Sequence, residues 1–146
     1  MSETPSSPPF TATGIDHVVL RVADLERSIA FYRDVLGCAV ERQLDELGLV
    51  QLRAGRSLID LVDVDAPLGR SGGAAPGSEA RNMDHVAIAI DRFDESALRA
   101  HLAHHAVEAE ETRRLYGAEG CGPSVYLRDP DDNRVELKGP PEPADD

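Results

Sequence analysis

Apolar and polar positions alternate along Ile15-Asp16-His17-Val18-Val19-Leu20-Arg21-Val22, so His17, Val19 and Arg21 share one face of a strand and Val18, Leu20 and Val22 the other. The period then lengthens. Asp24 is a natural N-cap, Leu25, Ile29, Tyr32 and Leu36 recur at helical spacing, and Gly37 supplies the stop. Short strand patterns follow at Cys38–Gln43, Leu49–Arg53 and Ser57–Val62, so the first half of the chain reads βαβββ.

The pattern then restarts. Met83-Asp84-His85-Val86-Ala87-Ile88-Ala89-Ile90 lies over Ile15–Val22 at an offset of 68, with Asp-His-Val at the same point in both. A second helix is expected from about Asp94 to His104, and Ile59-Asp60-Leu61 matches Val135-Glu136-Leu137. The last two strands, Ser124–Arg128 and Arg134–Lys138, flank the turn Asp129-Pro130-Asp131-Asp132-Asn133. The prediction is an α+β chain of two βαβββ modules, about 14–66 and 82–139. They are joined by a linker at about 67–81, where Gly69–Ser78 is rich in glycine and small residues. Residues 1–13 and 140–146 read as mobile tails.

Duplication bears on chemistry because equivalent residues are related by a pseudo-twofold axis. If the modules pair side by side, His17 and His85 meet Asp60 and Glu136. Two imidazoles with one or two carboxylates suit a divalent ion such as Fe(II), Mn, Co, Ni or Zn. Arg21, Gln51 and Tyr126 fall on the same faces and are candidate lining of a substrate cavity. His101, His104 and His105 read as an exposed polar face at a helix end rather than as a metal site. Tyr116–Gly122 reads as a glycine-rich loop near the mouth of the cavity, and no Lys-Ser/Thr follows to make it a phosphate loop.

Composition narrows the partners. A net charge of −12 repels both phosphate backbones and anionic lipid surfaces, so nucleic acid and membranes are excluded in favour of a small-molecule substrate. No signal-peptide pattern or membrane-length apolar run occurs, and Cys38 and Cys121 form no disulfide framework, which points to a reducing cytoplasm.

From Gly14 to Gly139 the sequence resembles the vicinal oxygen chelate superfamily, the group of glyoxalase I, extradiol dioxygenases, methylmalonyl-CoA epimerase and the fosfomycin and bleomycin resistance proteins. The resemblance is carried by Asp16–Val22, Asp24–Ser28, Phe31–Gly37, Met83–Ala87 and Leu127–Leu137. It implies a curled, cup-like mixed sheet around a metal, often completed by a homodimer. The family's ligand positions fall on His17, His85 and Glu136, and a fourth, commonly Glu or Gln, falls on the shorter Asp60. The resemblance implies a metal-dependent isomerase or lyase of the glyoxalase I type, with Glu136 or Asp60 as the proton-moving carboxylate. Its alternatives are an Fe(II) ring-cleaving dioxygenase built on His17, His85 and Glu136, a fosfomycin-type transferase, and a non-catalytic resistance protein that sequesters a ligand.

Overall fold

A computed structural model describes residues 8–143. Two four-stranded mixed sheets make up the chain, each with one helix, and each module has the connectivity βαβββ. In the first, β1 (His17–Val22) is followed by α1 (Leu25–Ala30), β2 (Ala39–Leu44), β3 (Leu49–Ala54) and β4 (Ser57–Asp63), in the spatial order β1-β4-β3-β2. The second repeats it with β5 (Val86–Ala89), α2 (Glu95–His104), β6 (Arg113–Gly117), β7 (Gly120–Arg128) and β8 (Arg134–Lys138), in the order β5-β8-β7-β6. In each, the first strand runs parallel to the last and the remaining pairs are antiparallel.

The helix-facing sides of both sheets share one core. Leu20, Val22, Leu52 and Leu61 of the first module cluster with Leu102, Val125, Val135 and Leu137 of the second. Each such side chain, fully buried, is worth about 1.5–3 kcal/mol.

The expected first helix is present with a change of winding. Asp24 caps it by accepting from the Arg27 amide, but from Phe31 to Val35 the turns widen to π geometry, with the Leu36 amide bonding the Phe31 carbonyl at 3.1 Å. A widened turn shifts the helical phase, so the consecutive aromatics Phe31 and Tyr32 are both buried. The second helix ends without a glycine. Ala106 adopts a left-handed φ of 57°, while Gly37, closing the first helix, has φ of 74°.

Two connections differ from the sequence expectation. Tyr116–Gly122 is a hairpin rather than a loop: β6 and β7 pair down to Gly117 and Gly120 across Ala118-Glu119. Glycine lowers local strand preference, and the cross-strand partner decides the outcome. The linker is tied down where Arg21 donates to the carbonyls of Gly69 (2.9 Å), Ala74 (3.2 Å) and Gly73. Of the expected tails, residues 1–7 and 144–146 lie outside the described residues. Pro8–Thr13 are exposed, whereas Glu142 bonds back through its amide to the Cys121 carbonyl at 2.7 Å.

The modules are joined by a buried polar contact. Tyr32 donates its hydroxyl to Asp129 Oδ2 at 2.7 Å, and Asp131 accepts from the Ala23 amide (2.9 Å) and the Ser28 hydroxyl (3.2 Å). Tyr32→Phe leaves the buried Asp129 one donor short and is expected to cost about 1.5–3 kcal/mol in urea unfolding. Ala106→Gly relieves the left-handed Cβ clash and is expected to stabilise the chain by about 0.5–1 kcal/mol by the same measurement.

Candidate metal and substrate site

The strand pairing explains how each module builds its polar face. In the first module, Val19 pairs with Asp60 and Gln51 pairs with Asp60 from the other side, so these side chains stand together, opposite the apolar core face. In the second, Glu136 lies between Ala87 and Tyr126 in the same way. Asp60 and Glu136 are both buried, 4% and 5% exposed.

Each histidine is held by the aspartate that precedes it. His17 Nδ1 donates to Asp16 Oδ1 at 2.6 Å, and His85 Nδ1 donates to Asp84 Oδ2 at 2.7 Å. A ligating imidazole commonly gives its second ring N–H to a carboxylate, which fixes the tautomer and leaves the Nε2 lone pair free. The hydrogen bond to Asp16 raises the pKa of His17 above 6.5, with Asp60 adding to the effect. Asp84 is shifted downward, chiefly by its bond to His85 and further by Arg134 and Arg128.

The carboxylates are oriented from the neighbouring strand. Ser124 Oγ donates to Glu136 Oε2 at 2.8 Å, which leaves Oε1 facing His85 Nε2 at 3.3 Å. Tyr126 packs edge-on to His85, centroids 5.3 Å apart, and burial together with the adjacent Glu136 pushes its phenol pKa up. Gln51 Nε2 donates to Asp60 Oδ2 at 3.1 Å, while Asp60 Oδ1 is buried with no partner.

Both half-sites fit a cation. His85 Nε2 and Glu136 Oε1, 3.3 Å apart, are groups that a proton or a metal ion between them would join. The unpartnered Asp60 oxygen is the corresponding group in the other module.

The structure brings His85, Glu136 and Tyr126 together, and Asp60 and Gln51 together. The two groups do not merge within one chain: among the described residues, no three His, Cys, Asp or Glu side chains are placed to hold one metal ion. β1 and β5 each pair on one side only, so the sheets do not join edge to edge. The guanidinium of Arg21, a candidate for holding substrate, is occupied by the linker carbonyls. His105 packs edge-on against both His101 and His104 at the end of α2, and His101 Nε2 bonds the Val35 carbonyl at 2.8 Å. Ser124, Asp16 and Asp84 were not singled out from the sequence. Asp16 and Asp84 were visible in the Asp-His repeat, and Ser124 follows once the hairpin register is known.

A duplicated βαβββ unit, each copy forming a four-stranded mixed sheet, defines the class of protein. The family model of the Glyoxalase/Bleomycin resistance protein/Dioxygenase superfamily matches residues 14–137, and the chain belongs to that superfamily. It is 32% identical over 133 residues to mitochondrial methylmalonyl-CoA epimerase of Mus musculus, covering 86% of this chain and 71% of the relative. It is 28% identical to catechol-2,3-dioxygenase of Bacillus subtilis (strain 168), covering 86% of this chain but 41% of that protein. The crystal structure of lactoylglutathione lyase from Agrobacterium tumefaciens superposes with a TM-score of 0.64 at 27% identity, covering 90% of this chain and 96% of the other.

The raised His17 pKa is open to direct measurement. In metal-free protein, the His17 ring is expected to titrate above 6.5 by NMR, and Asp16→Asn is expected to lower that midpoint. The Asp16–His17 contact therefore favours the folded state below pH 6.5 and fades as pH rises through the shifted value.

Proposed function

We propose that the chain is a metal-dependent isomerase or epimerase of its superfamily, acting on a small oxygenated substrate. The observation that carries this reading is the aspartate-anchored His85 beside the Glu136 carboxylate, with the anchored His17 and the unpartnered Asp60 oxygen at the equivalent positions of the first module. His17, His85 and Glu136, with Asp60 as a fourth donor, would hold a divalent ion such as Ni, Zn, Co, Mn or Fe. When bound, that ion supplies positive charge against the negative charge developing on adjacent substrate oxygens. Glu136 Oε1 is the atom fitted to take a proton from carbon next to a carbonyl, because Ser124 pins the other oxygen and burial excludes water. The epimerase and lyase relatives support this class of chemistry.

The half-sites call for a second copy. In a homodimer, β1 of one subunit set against β5 of its partner would bring His17 and Asp60 to the partner's His85 and the partner's Glu136. The unpaired edges of both strands and the exposed Ile15 and Val19 side chains support that assembly. Two free thiols support a cytoplasmic setting, and no helix among the described residues is long and apolar enough to cross a membrane.

A specific observation supports a second reading. Asp60 is one methylene shorter than Glu136, and Gln51 holds one of its oxygens, which favours a set of His17, His85 and Glu136 alone. That set suits Fe(II) and ring cleavage, the reaction class of the catechol dioxygenase relative.

Elemental analysis of the wild type beside Glu136→Ala and Asp60→Ala separates these readings. The isomerase reading expects about one divalent ion per site, lost in both variants, with turnover of hemithioacetals or 2-oxo thioesters. Loss in Glu136→Ala alone, with oxygen uptake on catechols under Fe(II), favours the dioxygenase. Absence of metal from every reconstituted sample sinks both and leaves a binding protein. Mixing His17→Ala subunits with Glu136→Ala subunits should recover one intact site per heterodimer; no recovery of metal rules out a site shared between subunits.

A further inference from the structure

Three arginines, Arg81, Arg128 and Arg134, line a cavity of about 400 Å³ together with Asp84 and Asp132. This convergence runs against the character of the chain, which carries 27 acidic and 15 basic residues. The volume falls within the roughly 300–1,000 Å³ of small-molecule sites.

Arg81 and Arg128 are anchored by neutral acceptors, whereas Arg134 is paired with the Glu110 carboxylate. Arg81 donates to Asn133 Oδ1 at 3.3 Å and to the Asp131 carbonyl at 3.1 Å, and Arg128 donates to the Asp132 carbonyl at 3.1 Å. These acceptors are neutral, so they position the guanidinium groups and leave their charge in place. The Asp132 carboxylate is 3.9 Å from Arg81 and from Arg128 and is itself 67% exposed, where solvent screens it. Asp84 is engaged by His85.

Arg134 is held differently from the other two. Its guanidinium stacks over the Tyr126 ring at 3.7 Å, and one end reaches Glu110 at 3.3 Å. Its Nε is buried with no hydrogen-bond partner. The cavity also adjoins the candidate metal site. Arg134 lies two residues from Glu136 on the same strand face, Tyr126 packs on His85, and Asp84 borders the cavity while holding His85.

We propose that this cavity is an anion subsite, receiving a carboxylate or phosphate group of the substrate whose oxygens meet the His85–Glu136 pair. Its place in catalysis rests on the reading of that pair given above; its capacity to bind anions does not. The substrate is thereby narrowed to an oxygenated small molecule carrying an additional negative group. Arg134 sets specificity through a forked, stacked guanidinium, which lysine cannot reproduce.

The test is to titrate metal-free, full-length protein with inorganic phosphate and with malonate at low ionic strength. Binding is read by calorimetry and by the arginine Nε–H resonances in NMR. Saturable binding is expected, with the Arg134 Nε–H signal moving. Arg134→Gln should weaken it by about tenfold, and Arg134→Lys by less. Preference for malonate identifies a carboxylate-bearing substrate, and preference for phosphate a phosphorylated one. If neither ion saturates, or if Arg134→Gln binds as the wild type does, the subsite is overturned. The wild-type resonance shift settles the matter even if Arg134→Gln fails to fold. Because the protein is metal-free, failure here is distinct from failure of the metal stoichiometry.

Discussion

The buried carboxylate of Asp129 is the contact on which the arrangement of the chain depends. Its Oδ1 accepts the amides of Asp131 and Asn133, and its Oδ2 accepts the Asn133 side chain and the Tyr32 hydroxyl. A charge this deeply buried is tolerable only with all its lone pairs used, and here they are used by both modules at once. The same four bonds shape the β7–β8 turn and seize the widened end of the first helix. The modules are consequently locked through a helix and a turn, with their helix-facing sides in one core. Their first strands keep a free edge, and their polar faces are left apart.

Within that frame the repeat produces symmetry in the ligands and asymmetry around them. Asp16–His17 and Asp84–His85 are built alike, to within a tenth of an ångström in their hydrogen bonds. The carboxylates are treated differently. A hydroxyl from Ser124 holds Glu136, and an amide from Gln51 holds Asp60. Cationic groups also divide unevenly. Arg21 of the first module is committed to the linker, whereas Arg128 and Arg134 of the second border an open cavity. The duplicated scaffold supplies the metal-type donors twice, and divergence of the surrounding residues supplies direction to whatever lies between them.

Much of the fold was legible because its signals are local and repeated. Alternation at 15–22, the Asp24 cap and the Asp129–Asn133 turn each depend on a few neighbouring residues and appear where expected, with the strand starting at His17. The strand expected over 83–90 is instead confined to Val86–Ala89 and leaves His85 just before it. The paired helical and strand periods sufficed for two βαβββ modules. What was illegible depends on partners distant in sequence. The β6 strand exists because Arg113–Gly117 finds Gly120–Ser124, against the low strand preference of its glycines. The π turn exists because Phe31 and Tyr32 both need burial. The arginine cluster draws from residues 81, 128 and 134, which share no spacing that a linear pattern reveals.

The side-by-side meeting of four ligands was a conditional inference, and the condition concerns how sheets meet, which no local pattern encodes. Duplication makes equivalent residues symmetric about an axis without stating whether that axis lies inside one subunit or between two. The pairing record answers for the single chain: β1 has β4 on one side and β5 has β8, and neither has the other. A strand edge with unpaired amides and carbonyls is a standing invitation to pair. Here that edge belongs to the strand beginning at His17 in one module and to the strand just after His85 in the other. The geometry that leaves the histidines incomplete is therefore the same geometry that leaves the sheets open, and one pairing event would close both.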